Sequence, residues 1–510
     1  MNWTDGYHSE IIYTKGLQTE QLVAPMRLAM ALGGRGGAAL DSSAFAFCEL
    51  GCGRGLTATA VAASFPQAQV YANDFNPSHV LEARSLAKAA ALDNLHLFDE
   101  DFAAFSALEL PDFDVISLHG IYSWVSPTQH EVIRRFVAHR LKPGGVCYVS
   151  YNALPGWSQL MPLRRLVLEV AQGQSGKPAA ERVTNGIGLL QALRSVNAGY
   201  LEGSRTANTW LDGIVTKDPA YLIHELLNEH SCPEHFVDMA RDMQGIRLSF
   251  AGSATLVDHM VDRFLAEPQR RLLEGIADPL RRETVRDFLL NQQFRRDLYQ
   301  KGQLSLSATE RDTALMGLRF TRIQPAGGMV LKKKVAYGEV SLDEVQCPPV
   351  MMALQQEPRT VAQLLQVESV RARGLSALLD TLLALTVTGQ CAPALSAAEQ
   401  KAAKPGCDRL NHHILLRNDT PQASHVLVSP VTGAGVPADR VQQWFLLAEH
   451  AKQGKPVEFA LERVLASEQP TLEHDGRRIE SACALREEIA RRYQIYADHM
   501  LPLYRYLQVA

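Results

Sequence analysis

Residues 47–55 read FCELGCGRG, with Glu49 two places before the first of three glycines, Gly51, Gly53 and Gly55. Glycine-rich turns let a backbone approach a ligand closely, and many cradle phosphates. This one lacks what a phosphate site needs. A triphosphate loop carries Gly-Lys-Ser/Thr at the helix entrance, whereas here the stretch is Gly53-Arg54-Gly55-Leu56. A dinucleotide fingerprint is GxGxxG, and Leu56 stands where its third glycine would be. Glu49 turns the chemistry round, because a carboxylate beside the turn repels a pyrophosphate and attracts a cation or an amino group.

S-adenosylmethionine has that character: a sulfonium, an α-ammonium and no phosphate. Its ribose needs a carboxylate, and Asp74 closes the second predicted strand about 20 residues past the turn, where an acid can accept both hydroxyls. Cys52 within the turn and Phe75 and Asn76 beside Asp74 join Glu49, Gly51 and Gly53 as candidate cofactor contacts. After the strand LHLF come Asp99-Glu100-Asp101-Phe102. Asp101 is the candidate acceptor for the adenine amine, with Asp99 and Glu100 as alternatives, and Phe102 can pack on the ring. Tyr7 and Tyr13, before the first helix, are candidates for a lid over the cofactor.

Methyl transfer from a sulfonium is an in-line displacement, so the acceptor must bring a lone pair to within roughly 3–3.5 Å of the methyl carbon. A lysine has to arrive neutral although its free pKa is near 10.4, which a desolvated aromatic pocket and orienting acceptors favour. The fourth predicted strand ends in His119-Gly-Ile-Tyr122-Ser-Trp124, the fifth in Tyr151-Asn152 followed by Pro155-Gly156-Trp157. The C-terminal ends of parallel strands are where open α/β sheets bind ligands. His119, Tyr122, Trp124, Tyr151, Asn152 and Trp157 are therefore the candidate acceptor pocket, with His119 also beside the cofactor. Aromatic faces suit an ammonium group.

The elements that must hold these residues follow from hydrophobic patterning. Strands are expected at 44–50, 69–74, 95–98, 113–118 and 146–151, alternating with helices at 56–65, 77–92 and 129–141. That alternation means βαβ units and a parallel sheet covered on both faces. A helix is expected at 18–32. Residues 158–325 read as mostly helical, with no strand pattern of any length. Residues 326–405 suggest a hairpin and three short helices, a winged-helix-like arrangement, and the remainder a mixed segment with a final helix at 477–492. The expected organisation is an N-terminal lid and helix (1–43), a cofactor-binding domain (44–170), a helical middle domain (171–325), a winged-helix-like domain (326–405) and a mixed α/β region (406–510).

Bulk properties narrow the class. The chain has 510 residues, 46% hydrophobic and 21% charged, with a formal net charge of −4. That is ordinary for a globular protein and lacks the basic excess of a dedicated nucleic-acid binder. The basic pairs Arg281-Arg282 and Arg295-Arg296 and the run 332–334 read as solvated faces. The eight cysteines are scattered and form no CxxC pair, so free thiols in a reducing compartment are expected, and no metal site. With no long apolar run and no signal-peptide pattern, a soluble cytoplasmic protein is expected.

The ELGCGRG turn, Asp74, Asp101-Phe102 and the KPGG strand entry at 142–145 resemble class I S-adenosylmethionine-dependent methyltransferases. That resemblance implies a Rossmann-like, seven-stranded, mostly parallel sheet. HGIYSWVS (119–126), YNALPGW (151–157), YLIHELLN (221–228), NQQFRRDLYQKG (291–302) and LVSPVTGAGVP (427–437) look more narrowly like bacterial methyltransferases with a regulatory domain, among them rickettsial protein-lysine methyltransferases. The resemblance implies S-adenosylmethionine as cofactor, S-adenosylhomocysteine as product and, for some members, lysine amines of a protein as acceptor. The extra domains are expected to shape the acceptor cleft, with homodimerisation a further role open to them. Two alternatives stand beside this reading: a small-molecule O- or N-methyltransferase with His119 as base, and a non-catalytic methyltransferase-fold module that binds DNA.

Overall fold

The computed structural model describes residues 6–7, 16–303, 305–325, 327–420, 423–451, 454–466, 472–474, 477–479 and 481–510. The expected lid residue Tyr13 lies outside them.

The five expected strands form: β1 (Ala46–Leu50), β2 (Gln69–Asn73), β3 (Leu95–Phe98), β4 (Phe113–Leu118) and β5 (Leu141–Leu154). Three more come from the stretch expected to be helical: the two-residue strand Glu234–His235, parallel to the end of β5, and then β6 (Leu248–Ser253) and β7 (Phe294–Lys301) along the main path. The sheet order is β3-β2-β1-β4-β5-β7-β6. The first five strands run parallel, and β7 is antiparallel to both of its neighbours. The helical expectation for 158–325 misses β7, FRRDLYQK, because the strand spends its inward positions on charge. Arg295 and Asp297 are buried together, so the segment has the composition of a surface and the environment of a core.

Successive strand residues alternate between faces. Phe47, Val70, Val115, Val146 and Tyr148 form one core with the helix Val23–Leu32 and with Ala58, Val61 and Ala62. Cys48, Leu50, Ile116, Leu118, Cys147 and Val149 form the opposite one. The helix Leu56–Ser64, LTATAVAAS, is buried at every residue. Small residues all round mark a helix packed on all sides. Its second face, Leu56, Ala60 and Ala63, belongs to the core of the C-terminal region.

The partner on that face is the helix Ala397–Leu416, which runs through the boundary expected at 405/406. A Cβ at its Gly406 would stand 2.8 Å from the Ala63 carbonyl oxygen, so only glycine lets the two backbones meet. Four helices, Met161–Gln172, Ala179–Ser195, Arg205–Ile214 and Pro219–Leu226, pack around Val167, Leu190, Leu211 and Ile223 beyond the sheet. Between 326 and 405 the hairpin Lys332–Val335/Gly338–Ser341 is present. The three-stranded sheet there takes its central strand, Arg319–Arg322, from before the expected boundary. Arg373, just before the helix Gly374–Val387, is paired with Asp343 at 2.9 Å. The last long helix is Ala482–Ile495, displaced from the expected 477–492.

Replacing Gly406 with leucine is expected to overpack this contact and cost about 1–3 kcal/mol. Urea unfolding followed by circular dichroism should show a lower midpoint; a midpoint equal to the parent's would mean that the two helices can separate freely.

Candidate active site

In the strand order, the sequence direction reverses between β1 and β4, and ligands of open α/β sheets bind in the crevice at such a switch point. A cavity of about 1470 Å³ opens there. Gly51 and Gly53 follow β1, and His119 and Gly120 follow β4; all four line it.

The glycine turn has left-handed backbone at Gly51 (φ +68°), Gly53 (φ +53°) and Gly55 (φ +71°). A Cβ at Gly51 would lie 2.3 Å from Ile121 Cδ1, and one at Gly55 2.4 Å from Ala83 Cβ. A Cβ at Gly53 would meet nothing within 4 Å. Two glycines thus allow close packing, and the middle one faces open space.

Asp74 fixes this turn. Its Oδ2 accepts the Gly53 amide at 2.8 Å, its Oδ1 accepts the Asn76 amide at 2.9 Å, and His79 Nδ1 lies 3.1 Å from Oδ1. A carboxylate has about four lone-pair sites, so roughly one is left. Asp74 thus braces the turn and keeps acceptor capacity toward the cavity that it lines. Phe75 lines the cavity, whereas Asn76 caps the helix Pro77–Ala89 by accepting the Ser78 amide at 3.0 Å. Cys52 is absent from the lining and packs toward the first core.

Of the three acids after β3, Glu100 and Asp101 line the cavity with Phe102. Asp99 is turned to Arg84 at 3.0 Å. Asp101 also caps the short helix Phe102–Ser106 through the Ala104 amide. Glu49 sits buried directly behind the turn, and its Oε2 has no hydrogen-bond partner. Burial pushes its carboxyl up to about 8; the Ala58 amide opposes this and Asp74 adds to it.

His119, Trp124, Asn152 and Trp157 line the cavity, and the two indoles meet edge to face with centroids 6.2 Å apart. Tyr122 and Tyr151 do not line it. Tyr122 is buried and stacked on His130, with centroids 4.0 Å apart and the rings nearly parallel, and its hydroxyl takes a bond from Arg134. Tyr151 lies on the opposite strand face from its neighbours and donates to Asp297 at 2.6 Å. Strand alternation admits Asn152 and turns Tyr151 away. His119 Nδ1 is 2.8 Å from the Tyr148 hydroxyl. Burial, with Arg296 second, depresses its pKa to about 3, so the ring is neutral at any physiological pH.

Several lining residues were not among the candidates: Trp210, Tyr221, Glu225, Glu229 and His230 from the helical region, and Phe294 and Arg296 from β7. The pair Arg295-Arg296 is not a solvated face, since Arg295 is 1% exposed and Arg296 faces the cavity. A usable signal existed in YLIHELLN. Tyr221 and Glu225 are four apart, one turn of a single helix face. Tyr7 meets Phe75 edge to face at 5.7 Å and His224 at 5.4 Å, joining the two walls.

Comparison with known proteins places this geometry. A methyltransferase-domain family matches residues 48–147, and the predicted methyltransferase regulatory domain matches 218–301. An uncharacterised protein of Synechocystis sp. is 34% identical over 505 residues, 99% of each chain. The chain belongs to the methyltransferases that carry a regulatory domain. An uncharacterised protein of Rickettsia prowazekii is 25% identical over 268 residues, 51% of this methyltransferase and 46% of that protein. The structure of PKMT2 from Rickettsia typhi in complex with AdoHcy superposes with a TM-score of 0.71 at 17% identity, covering 98% of this chain and 100% of that one, a likeness of fold.

S-adenosylmethionine is the methyl donor of this enzyme class, and the residues fit it. Gly53, with open space where a Cβ would stand, and Asp74, with an acceptor site left, both line the cavity, while the orphaned Glu49 oxygen is buried outside its lining. Among the described residues no group of three or more His, Cys, Asp or Glu could hold a metal ion, and no helix is long and apolar enough to cross a membrane.

Because Asp74 ties three internal groups, Asp74→Ala should loosen the turn as well as weaken cofactor binding. Loss of its buried bonds is expected to cost about 1–3 kcal/mol of stability, read from urea unfolding. Calorimetric titration with S-adenosylhomocysteine should lose most of its affinity in the same variant; near-parental affinity would remove Asp74 from the site.

Proposed function

We propose that this methyltransferase transfers methyl groups to amine side chains of a protein, lysine being the acceptor that the site suits best. The observation that carries this reading is the far end of the cavity. Trp124, Trp157, Trp210 and Tyr221 line it together with Glu225 and Glu229. Aromatic faces attract an ammonium group and, once desolvated, lower its pKa. Carboxylates on the same wall favour a cationic acceptor over a neutral one. A cleft built between the sheet and the helical region also has the reach for a side chain presented on a polypeptide.

S-adenosylmethionine, when bound, supplies a methyl group on a sulfonium. At the donor end, the turn amides and Asp74 position the ribose side, Glu100 or Asp101 with Phe102 serve the adenine, and Glu49, buried beneath the turn, supplies negative charge toward the cationic amino-acid tail. His119 and Asn152 stand between the donor and acceptor ends as polar positioning groups. A hydroxyl acceptor would need a base, and a His119 depressed to about 3 takes up a proton poorly near neutrality. That counts against O-methylation through this histidine.

Incubation with methyl-labelled S-adenosylmethionine and a bacterial lysate, followed by acid hydrolysis and mass spectrometry, should yield labelled methyl-lysine in protein. Label confined to small molecules would overturn the reading. Glu49 adds a pH signature to cofactor binding. A carboxyl at about 8 in the free enzyme is mostly protonated at pH 7, and a bound cation favours its ionised form. Binding should therefore release a proton below pH 8, and affinity should rise from pH 6 to 8 and then level. Calorimetry in buffers of different ionisation enthalpy measures the release, and Glu49→Gln should abolish it.

A further inference from the structure

We propose that Glu225 is a further catalytic residue: its carboxylate receives the acceptor ammonium and takes the proton that frees the nitrogen lone pair. The inference rests on the amine-acceptor reading above.

Glu225 lies on the helix Pro219–Leu226, whose N-terminus Asp218 caps through the Ala220 amide. Its side chain lines the cavity beside Trp124, Trp157, Trp210 and Tyr221. Glu229, by contrast, is exposed at the rim. Tyr221, one turn earlier on the same helix face, hydrogen-bonds the Glu225 carboxyl. Arg164, on the packed helix Met161–Gln172, is the charge that faces it. That guanidinium is committed elsewhere: it donates to the carbonyls of Glu225, Asn228 and His230 and lies 5.6 Å over the Trp124 ring. Arg164 thus braces the segment after the helix, and His230 and Glu229 are the other titratable groups on this wall. Burial raises the Glu225 carboxyl to about 7 despite Arg164 and Tyr221. A base so placed stays ionised in part at neutral pH and accepts a proton more readily than an ordinary carboxylate.

The step balances without a further reagent. An N–H bond of the lysine ammonium breaks and the proton passes to a Glu225 oxygen. The freed lone pair forms the C–N bond as the C–S bond of the sulfonium breaks, and that electron pair stays on sulfur. The product is a methylammonium and a thioether, and Glu225 then gives its proton to solvent.

The test compares the full-length parent with Glu225→Gln and Glu225→Asp, using the labelled cofactor, the lysate acceptor pool and methyl-lysine as readout. In the parent, the rate under limiting acceptor should rise with pH through the region of 7. Glu225→Gln is expected to lose on the order of 10²–10³-fold in rate and that pH limb, while S-adenosylhomocysteine affinity stays within about twofold of the parent's. Glu225→Asp should recover part of the rate with the limb moved to lower pH. A glutamine variant with near-parental rate and the same limb overturns the inference and leaves the amine reading intact. No methyl-lysine from the parent overturns both. If the glutamine variant no longer binds S-adenosylhomocysteine, the aspartate variant decides: an unmoved limb there overturns the proposal.

Discussion

The register of β7 beside β5 is the constraint on which the rest of the molecule depends. It is held by a buried charge. The Arg295 guanidinium is 3.0 Å from Asp297, is paired with Asp287 and Glu283, and lies 4.2 Å over the Phe236 ring. Removing one partner of such a buried cluster typically costs about 3–5 kcal/mol, because the remaining charge has nowhere to go. A one-residue slip would exchange the two faces of the strand. Arg295 would enter the cavity, and its neighbours Arg296 and Phe294 would be turned toward the buried face that now holds Arg295. The same cluster ties the helix Pro279–Leu290 to the sheet, and Tyr151 joins it through Asp297. One ion network thus decides which side chains of β5 and β7 reach the cavity.

The cavity has carboxylates at both ends and a neutral imidazole between. That distribution matches a reaction between two species that each arrive positive. Two unit charges 4 Å apart in an environment of effective dielectric near 20 repel by about 4 kcal/mol. In the proposed amine reading, Glu49 and Asp74 compensate on the donor side, Glu225 and Glu229 on the acceptor side, and the acceptor loses its own charge before transfer. A protonated His119 would add a third positive charge in the middle. Burial and the neighbouring Arg296 keep it neutral.

The donor half of the site was legible in the sequence because its determinants are local. The glycine turn, Asp74 and Asp101-Phe102 each follow directly on a strand whose apolar run is unmistakable, so predicting the strand placed the residue. The acceptor half was legible only in part. His119, Trp124, Asn152 and Trp157 reach the cavity, but Tyr122 and Tyr151 share their motifs and point elsewhere, since motif membership does not fix a side-chain face. Trp210, Tyr221 and Glu225 come from helices that look like ordinary amphipathic segments, and their convergence is a product of tertiary packing. β6 and β7 escaped notice for a related reason: LSFAGS is short and small-residued, and FRRDLYQK buries ions, which periodicity alone scores as surface.

The pairing of β5 with β7 has a consequence for how the chain matures. Residues 141–154 leave the ribosome long before 294–301 do, and the helices that wall the acceptor end are made in the interval. Until β7 arrives, one edge of β5 has unpaired backbone groups along a buried, apolar strand, the kind of edge that recruits other chains. Vectorial synthesis therefore delivers a donor half that is locally complete but cannot close its sheet. The first translated half has to wait for the second before its sheet is closed.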